Sequence, residues 1–319
     1  MTAPVTLMTF NVYNDSSSPP GEGSVPAWML RRELVVETIR AHAPDVVGLQ
    51  EVYPWQVDYL AAELPRYACI GRGRDARGVD EAVPIMYRRE RLELLDCGHF
   101  WLSESPHTPG SRGGKAWGEM ETPRMVTWVR LRHKGRGGSF YVYNTHLASD
   151  EDGGEASRMM SARLIAERIA TRAAPTDYFF LLGDFNAPEE QFPTRYLTGR
   201  TTCSGPGAPR PPQRAPVRMV DVWRVLHSES GGTRCSSDPA AAEGQRFDYI
   251  LAWDPGPQVA IDNGAARTIA APRVAGATVV RPRGSCASDH CAVVATVEIP
   301  LAGMSAGHTA TERAVEAAD

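Results

Sequence analysis

Eight short runs in this chain have the composition of β-strands, and most of them meet a polar side chain at one end. They are VTLMTFN, DVVGLQE, VPIMYR, MVTWVRLR, FYVYNTH, YFFLLGD, RFDYILAW and CAVVATVEI. Each is rich in β-branched and aromatic residues, and each is too short to be a buried helix. A helical period is legible in only two stretches. AWMLRRELVVETIRAH places Leu30, Leu34, Val35 and Ile39 on one face, and SRMMSARLIAERIATR places Met160, Leu164, Ile165 and Ile169 on one face. Many strands with few helices between them predict an α+β fold, two mixed β-sheets packed face to face with helices outside.

At 319 residues the chain is long enough for one large domain, and no repeat or linker divides it. We read residues 1–300 as that domain and 301–319, small and polar, as a disordered C-terminal tail. Segments 14–26, 103–123 and 199–216 are rich in Gly, Pro and Ser and read as loops. Loops of such length in a compact domain are usually functional, and these are expected to set specificity. No apolar stretch reaches the roughly 20 residues of a membrane span, and the N-terminus carries no basic leader with an apolar core. A cytoplasmic, monomeric protein without membrane contact is the expectation. The cysteines at 69, 97, 203, 235, 286 and 291 show no zinc-site spacing and read as reduced thiols, with a Cys203–Cys235 bridge left open.

The polar strand ends carry the chemistry. VTLMTF ends in Asn11, DVVGLQ in Glu51, FYVYNT in His146, and YFFLLG in Asp184 and Asn186. Asp248 lies within RFDYILAW, and Asp289 and His290 open CAVVATVEI. Strand alternation would put Asp184 and Asn186 on one face and turn Phe185 to the other. An aspartate after an apolar run is by itself as often a turn former as a functional group. Gathered at one sheet edge, however, these carboxylates, carboxamides and histidines make an inventory that suits a hard divalent cation. Mg²⁺ is the expected ion, with Mn²⁺ or Ca²⁺ as substitutes: it takes oxygen ligands and often shares them with substrate phosphate. Arg124 and Arg158 are candidate phosphate-binding residues. Trp117, in a Gly-rich loop, is either core or pocket wall.

The segments TFNVY, PDVVGLQEV, NTHLAS, LLGDFNAPE, RFDYILA and SDHCAVVATVEI, in that order, resemble the endonuclease/exonuclease/phosphatase family, whose members include deoxyribonuclease I-like nucleases, phosphatases, sphingomyelinases and deadenylases. The resemblance implies a four-layered α/β sandwich with its active site at one edge of the two sheets. It implies that Glu51 is the carboxylate metal ligand, with Asn11 and Asp289 completing the surroundings of the ion. Asp184 resembles the aspartate that orients or deprotonates the attacking water, and Asn186 the adjacent donor to a phosphate oxygen. His290 resembles the histidine that faces the scissile phosphate, and Asp248 the carboxylate that orients it. His146 takes the second histidine position, and Glu81 the place of a glutamate that holds that histidine.

For the substrate, a small phosphorylated metabolite is favoured, with cleavage as a phosphatase or phosphodiesterase. The net charge of −4 and the lack of a Lys/Arg run weigh against a nuclease acting on DNA or RNA, which draws affinity from phosphate neutralisation. In TFNVY, Tyr13 also stands where abasic-site enzymes carry an acidic residue. No apolar membrane-facing hairpin supports a lipid phosphodiesterase, and a non-catalytic relative would have lost part of the set.

Overall fold

Residues buried on both faces of a sheet need apolar side chains at every position, and that is where the most apolar runs lie. The computed structural model describes residues 2–14, 27–135, 137–172, 177–203, 213–235, 244–256, 259–262, 265–268, 270–282 and 285–300. In chain order the elements are β1 (Thr2–Asn11), α1 (Trp28–His42), β2 (Val46–Gln50), α2 (Pro54–Glu63), β3 (Tyr67–Ile70), β4 (Ile85–Arg88) and β5 (Leu92–Trp101). After a short 3-10 turn at Lys115–Trp117 come β6 (Met125–His133), β7 (Ser139–His146), α3 (Gly154–Arg172), β8 (Tyr178–Asp184) and α4 (Phe192–Leu197). The remainder is β9 (Met219–Asp221), α5 (Val222–Leu226), β10 (Asp248–Trp253), β11 (Val259–Asp262), β12 (Ala265–Thr268), β13 (Arg273–Val279) and β14 (Val293–Pro300).

Among the described residues two mixed six-stranded sheets form, in the orders β13-β14-β1-β2-β4-β3 and β5-β6-β7-β8-β10-β9, and β11 pairs with β12 in a separate two-stranded sheet. The sheets pack face to face through β1 and β2 against β7, β8 and β10. This is the expected α+β sandwich. All seven residues of β8 are buried, and Phe179, Phe180, Leu181 and Leu182 join one large core with side chains from both sheets. Each large apolar side chain so buried contributes roughly 1.5–3 kcal/mol.

Register brings the polar ends together. In the parallel pair β7–β8, His146 lies opposite Asp184; in the antiparallel pair β8–β10, Asp184 lies opposite Asp248. In the other sheet Asn11 lies opposite Gln50, so Glu51 follows directly beside it. Behind this edge, Gln50 Nε2 donates to Thr9 Oγ1 at 3.0 Å and to Asn144 Oδ1 at 2.7 Å. Asn144 Nδ2 donates to the carbonyls of Leu49 and Pro84. This buried bridge clamps one sheet to the other. Gly48 makes room for it, since a Cβ there would stand 2.7 Å from Asn144 Oδ1.

The helices depart from their sequence reading in one respect. On α1, Leu30 is 78 % exposed, and the inward face is Trp28, Arg31, Val35, Val36 and Ile39. Arg31 replaces a leucine because its guanidinium has buried acceptors: it donates to the carbonyls of Val12, Tyr13 and Ala287. It thereby pins the chain leaving β1 to the segment before Asp289. Trp117 is buried in the core rather than lining a pocket. The tail 301–319, most of segment 14–26 and the middle of 199–216 lie outside the described residues.

Candidate active site

Asp184 is the hub, with a side chain only 1 % exposed. Its Oδ2 accepts from Asn11 Nδ2 at 3.0 Å, and its Oδ1 accepts from the backbone N–H of Asn186 at 2.8 Å. The second bond closes a tight turn of the kind aspartate favours. Strand β8 therefore stops at Asp184, and it is this turn, not strand alternation, that brings Asn186 alongside. Asn186 sits at φ 47° and Glu51 at φ 59°, left-handed conformations that few non-glycine residues adopt and that collect at functional sites. Phe185 does turn the other way, fully buried and stacked on Tyr249 with ring centroids 4.9 Å apart.

Two histidines flank the hub, each with Nε2 at 3.7 Å from Asp184 Oδ2. His290 Nδ1 lies 2.8 Å from Asp248 Oδ2, and the His290 backbone N–H donates to Ser288 Oγ, which itself donates to the Asn11 carbonyl. Asp289 and His290 lie in the loop before β14 rather than opening the strand. Burial pushes His290 toward its neutral form, but Asp248, Asp184 and Asp289 outweigh it and raise the imidazolium to about 10. His146 moves the opposite way: burial, then Arg124 and Arg74, hold it well below the ordinary histidine range. The two imidazoles are thus shifted in opposite directions by their surroundings. Burial and the neighbouring Asp248 also raise Asp184 above the ordinary carboxylate range.

Glu51 Oε1 accepts from Asn11 Nδ2 at 2.9 Å, and its Oε2 accepts from the Asn14 backbone at 3.1 Å. Glu51, Arg74, Glu81, Arg124 and His146 share the wall of one pocket with Ala82, Val83, Pro123 and Met125. Arg124 is 8 % exposed, its Nη2 is 3.5 Å from Asp152, and its Nε has no hydrogen-bond partner among the described residues. Asp152 Oδ1 in turn accepts the backbone N–H groups of Glu121 and Thr122, tying loop 103–123 to the pocket rim.

Most residues expected at the site are brought together, with three departures, at Glu81, Asn186 and Arg158. Glu81 does not hold His146: it pairs with Arg74 at 2.9 Å and accepts from Asn14 Nδ2 at 2.7 Å. The bond to His146 Nε2 comes from Asn186 Nδ2 at 2.9 Å, and the same amide donates to the Leu147 carbonyl. Asn186 thus positions a histidine, with both amide protons engaged. Arg158 does not reach the pocket, because its buried guanidinium is held by the Ala148 carbonyl, Asp150 and Gln191. Cys235 has Cys291 and Cys286 as sulfur neighbours, not Cys203, and all six cysteines are free. Three residues had escaped the sequence reading: Arg74 and Arg234, whose ion pairs depend on tertiary contacts, and Gln50, whose polarity inside an apolar run was the available signal.

The donor set fits a hard cation. Glu51 offers carboxylate oxygens with spare lone pairs; Asn11 meets it through Nδ2, with its Oδ1 accepting from the Tyr13 N–H, and Asp289 is linked to Asn11 through Ser288, whose Oγ lies 3.3 Å from Asp289 Oδ1 and 2.7 Å from the Asn11 carbonyl. Among the described residues, ligand atoms of Asp184, Asp248 and His290 also lie within 4.8 Å of one another. In that trio, however, His290 Nδ1 is already committed to Asp248, which marks it as a proton-transfer unit. No helix among the described residues is long and apolar enough to cross a membrane.

Comparison with known proteins gives a consistent picture. An endonuclease/exonuclease/phosphatase protein from Bacteroides vulgatus superposes over 93 % of this chain and 100 % of its own, with TM-score 0.73 and 27 % identity. The mannosyl-6-phosphatase Bt3783 from Bacteroides thetaiotaomicron superposes over 92 % of this chain and 99 % of its own, with TM-score 0.67 and 23 % identity, a likeness of fold. By sequence, the CCR4-Not complex 3'-5'-exoribonuclease subunit Ccr4 of Aspergillus clavatus is 26 % identical over 189 residues, 52 % of this chain but 28 % of Ccr4. The chain thus spans little more than a quarter of that relative's length. The family model for the Endonuclease/Exonuclease/phosphatase family matches residues 8–290, which contain every residue of the cluster around Asp184, and the chain belongs to that family.

Proposed function

We propose that this chain is a Mg²⁺-dependent hydrolase that cleaves a phosphoester bond in a small phosphorylated metabolite by in-line attack of water. The observation that carries the reading is the pair of buried histidines, each with Nε2 3.7 Å from a buried Asp184, one partnered by the Asp248 carboxylate and the other by the Asn186 amide. Asp184, whose carboxyl is raised by burial, is placed to take a proton from the attacking water. His290, held as imidazolium by Asp248, is placed to give its Nε2 proton to the leaving oxygen. His146, neutral and fixed by Asn186, is a hydrogen-bonding partner for the phosphate rather than a charge. Arg124, buried with Nε unpartnered among the described residues, offers a fixed cation at the pocket wall. Bound at Glu51 with Asn11 and Asp289, a divalent ion would supply charge stabilisation for the phosphoryl oxygens.

The balance of acidic over basic residues supports a small substrate, as does the likeness in fold to a mannosyl-6-phosphatase. The similarity to Ccr4 favours a second reading, a nuclease acting on RNA or DNA. The reading includes a cytoplasmic, monomeric protein. Hydrolysis of a chromogenic phosphomonoester and phosphodiester, with and without Mg²⁺, followed by a screen of phosphorylated metabolites, tests the first reading. Robust nicking of plasmid DNA or trimming of RNA at physiological salt, without turnover of any small phosphoester, would replace it with the second.

A further inference from the structure

Arg234 had no place in the sequence reading, yet its guanidinium stands against His290 and Asp289 at the flank of the site. Its Nη1 is 2.9 Å from His290 Nε2 and 2.8 Å from Asp289 Oδ2. The backbone that presents it is fixed: Arg234 and His290 form an antiparallel bridge, flanked by Cys291 N–H to the Thr233 carbonyl and Cys235 N–H to the Asp289 carbonyl, both at 2.7 Å. The side chain is not fixed in the same way. It is 50 % exposed, lies over the Phe247 ring at 5.3 Å, and contacts Asp289, itself 30 % exposed. An anchored backbone carrying a half-exposed guanidinium can exchange a carboxylate for another oxyanion at small energetic cost.

The guanidinium also borders the hub: His290 Nε2, 2.9 Å from Arg234 Nη1, is 3.7 Å from Asp184 Oδ2, so a phosphate oxygen that enters beside His290 and Asp184 comes within reach of Arg234. That position belongs to the scissile phosphate in the reading proposed above.

We propose that Arg234 is a substrate-binding residue that grips a non-bridging oxygen of the phosphate and biases the site toward phosphomonoester dianions over diester monoanions. The inference rests on the phosphoester-hydrolase reading. With Arg124 and Arg74 on the His146 side of Asp184, Arg234 on the His290 side completes a cationic flank on both sides of the hub. A monoester presents one more unesterified oxygen and about one more negative charge than a diester near pH 7. The extra charge-assisted bond is available only to the monoester when the remaining oxygens are already engaged.

The test compares wild type with Arg234→Met and Arg234→Lys in two assays. In magnesium buffer, an NMR titration with inorganic phosphate should shift the amides of 233–235 in the wild type. The dissociation constant should rise about tenfold to a hundredfold in Arg234→Met, and less in Arg234→Lys. In parallel, kcat/KM for p-nitrophenyl phosphate should fall by about that factor, with at least about threefold less loss on bis(p-nitrophenyl) phosphate. Equal phosphate affinity in wild type and Arg234→Met, or absent shifts at 233–235, would overturn the assignment. Equal losses on monoester and diester would overturn the stated selectivity. The phosphate titration is independent of turnover, so a wild type that cleaves neither ester would refute the hydrolase reading while the binding assay still decides on Arg234.

Discussion

His290 Nδ1 lies 2.8 Å from Asp248 Oδ2, with both side chains buried and the second carboxylate oxygen of Asp248 without a hydrogen-bond partner among the described residues. A carboxylate so placed fixes the tautomer and holds the charge of the ring it faces. Asp248→Asn should therefore leave the fold intact while lowering kcat by about 10²–10⁴-fold. The alkaline limb of its pH–rate profile should move toward neutrality, since the main carboxylate raising His290 is gone. Steady-state kinetics with circular dichroism of the variant check both parts.

Arg246 and Asp221 form a buried ion pair, 2 % and 5 % exposed, at the edge of the second sheet. Asp221 also caps α5 by accepting the Trp223 N–H at 3.1 Å, and Arg246 lies over the Tyr249 ring at 4.4 Å. Removing Asp221 leaves the buried Arg246 guanidinium with only the longer contact to Glu189 at 3.4 Å as an ion pair. Asp221→Ala should lower stability by about 3–5 kcal/mol in urea unfolding. Asp221→Ala combined with Arg246→Met should recover a large part of that loss.

His99 Nδ1 is 3.1 Å from Thr127 Oγ1, and burial, with Arg72 nearby, lowers its pKa to about 4. In the unfolded chain the ring titrates near about 6.5. The unfolded state therefore binds the proton first, and the stability associated with a neutral His99 is present above that value and falls as pH drops toward about 4. Unfolding midpoints measured across this window should decline less steeply in His99→Phe than in the wild type.

Gly48→Ala would place a Cβ 2.7 Å from Asn144 Oδ1, inside the bridge between the sheets. The overlap should destabilise the protein by about 1–3 kcal/mol. Because Gln50 loses its bond to Asn144, keeping that to Thr9, and sits next to Glu51, the affinity for Mg²⁺ under the proposed function should fall as well. A thermal melt and a calorimetric Mg²⁺ titration separate the two effects.

Which strands were legible follows from where they sit. The eight apolar runs are the interior strands β14, β1, β2 and β4 of one sheet and β6, β7, β8 and β10 of the other. The four edge strands, β13, β3, β5 and β9, were not visible, nor was the separate β11–β12 pair. Edge strands face water along one side and keep polar residues, as the acidic and exposed middle of LELLDCGHFW illustrates. At the site, Asn11, Glu51, His146, Asp184, Asp248 and His290 were readable because they begin, end or directly flank interior strands whose register is fixed. The partners of Glu81, Arg158 and Arg234 were not, because the nearest opposite charge or acceptor comes from a loop distant in sequence or from local turn geometry. The pairing of Asn186 with His146 depends on the turn at Asp184, which strand alternation does not describe.

The most direct test of the account is Mg²⁺-dependent hydrolysis of a phosphoester by the wild type, Asp184→Ala and His290→Ala under matched conditions. Turnover that requires the ion and falls by at least about 10²-fold in each folded variant is the result predicted from the hub geometry. Undiminished turnover in both variants would contradict it.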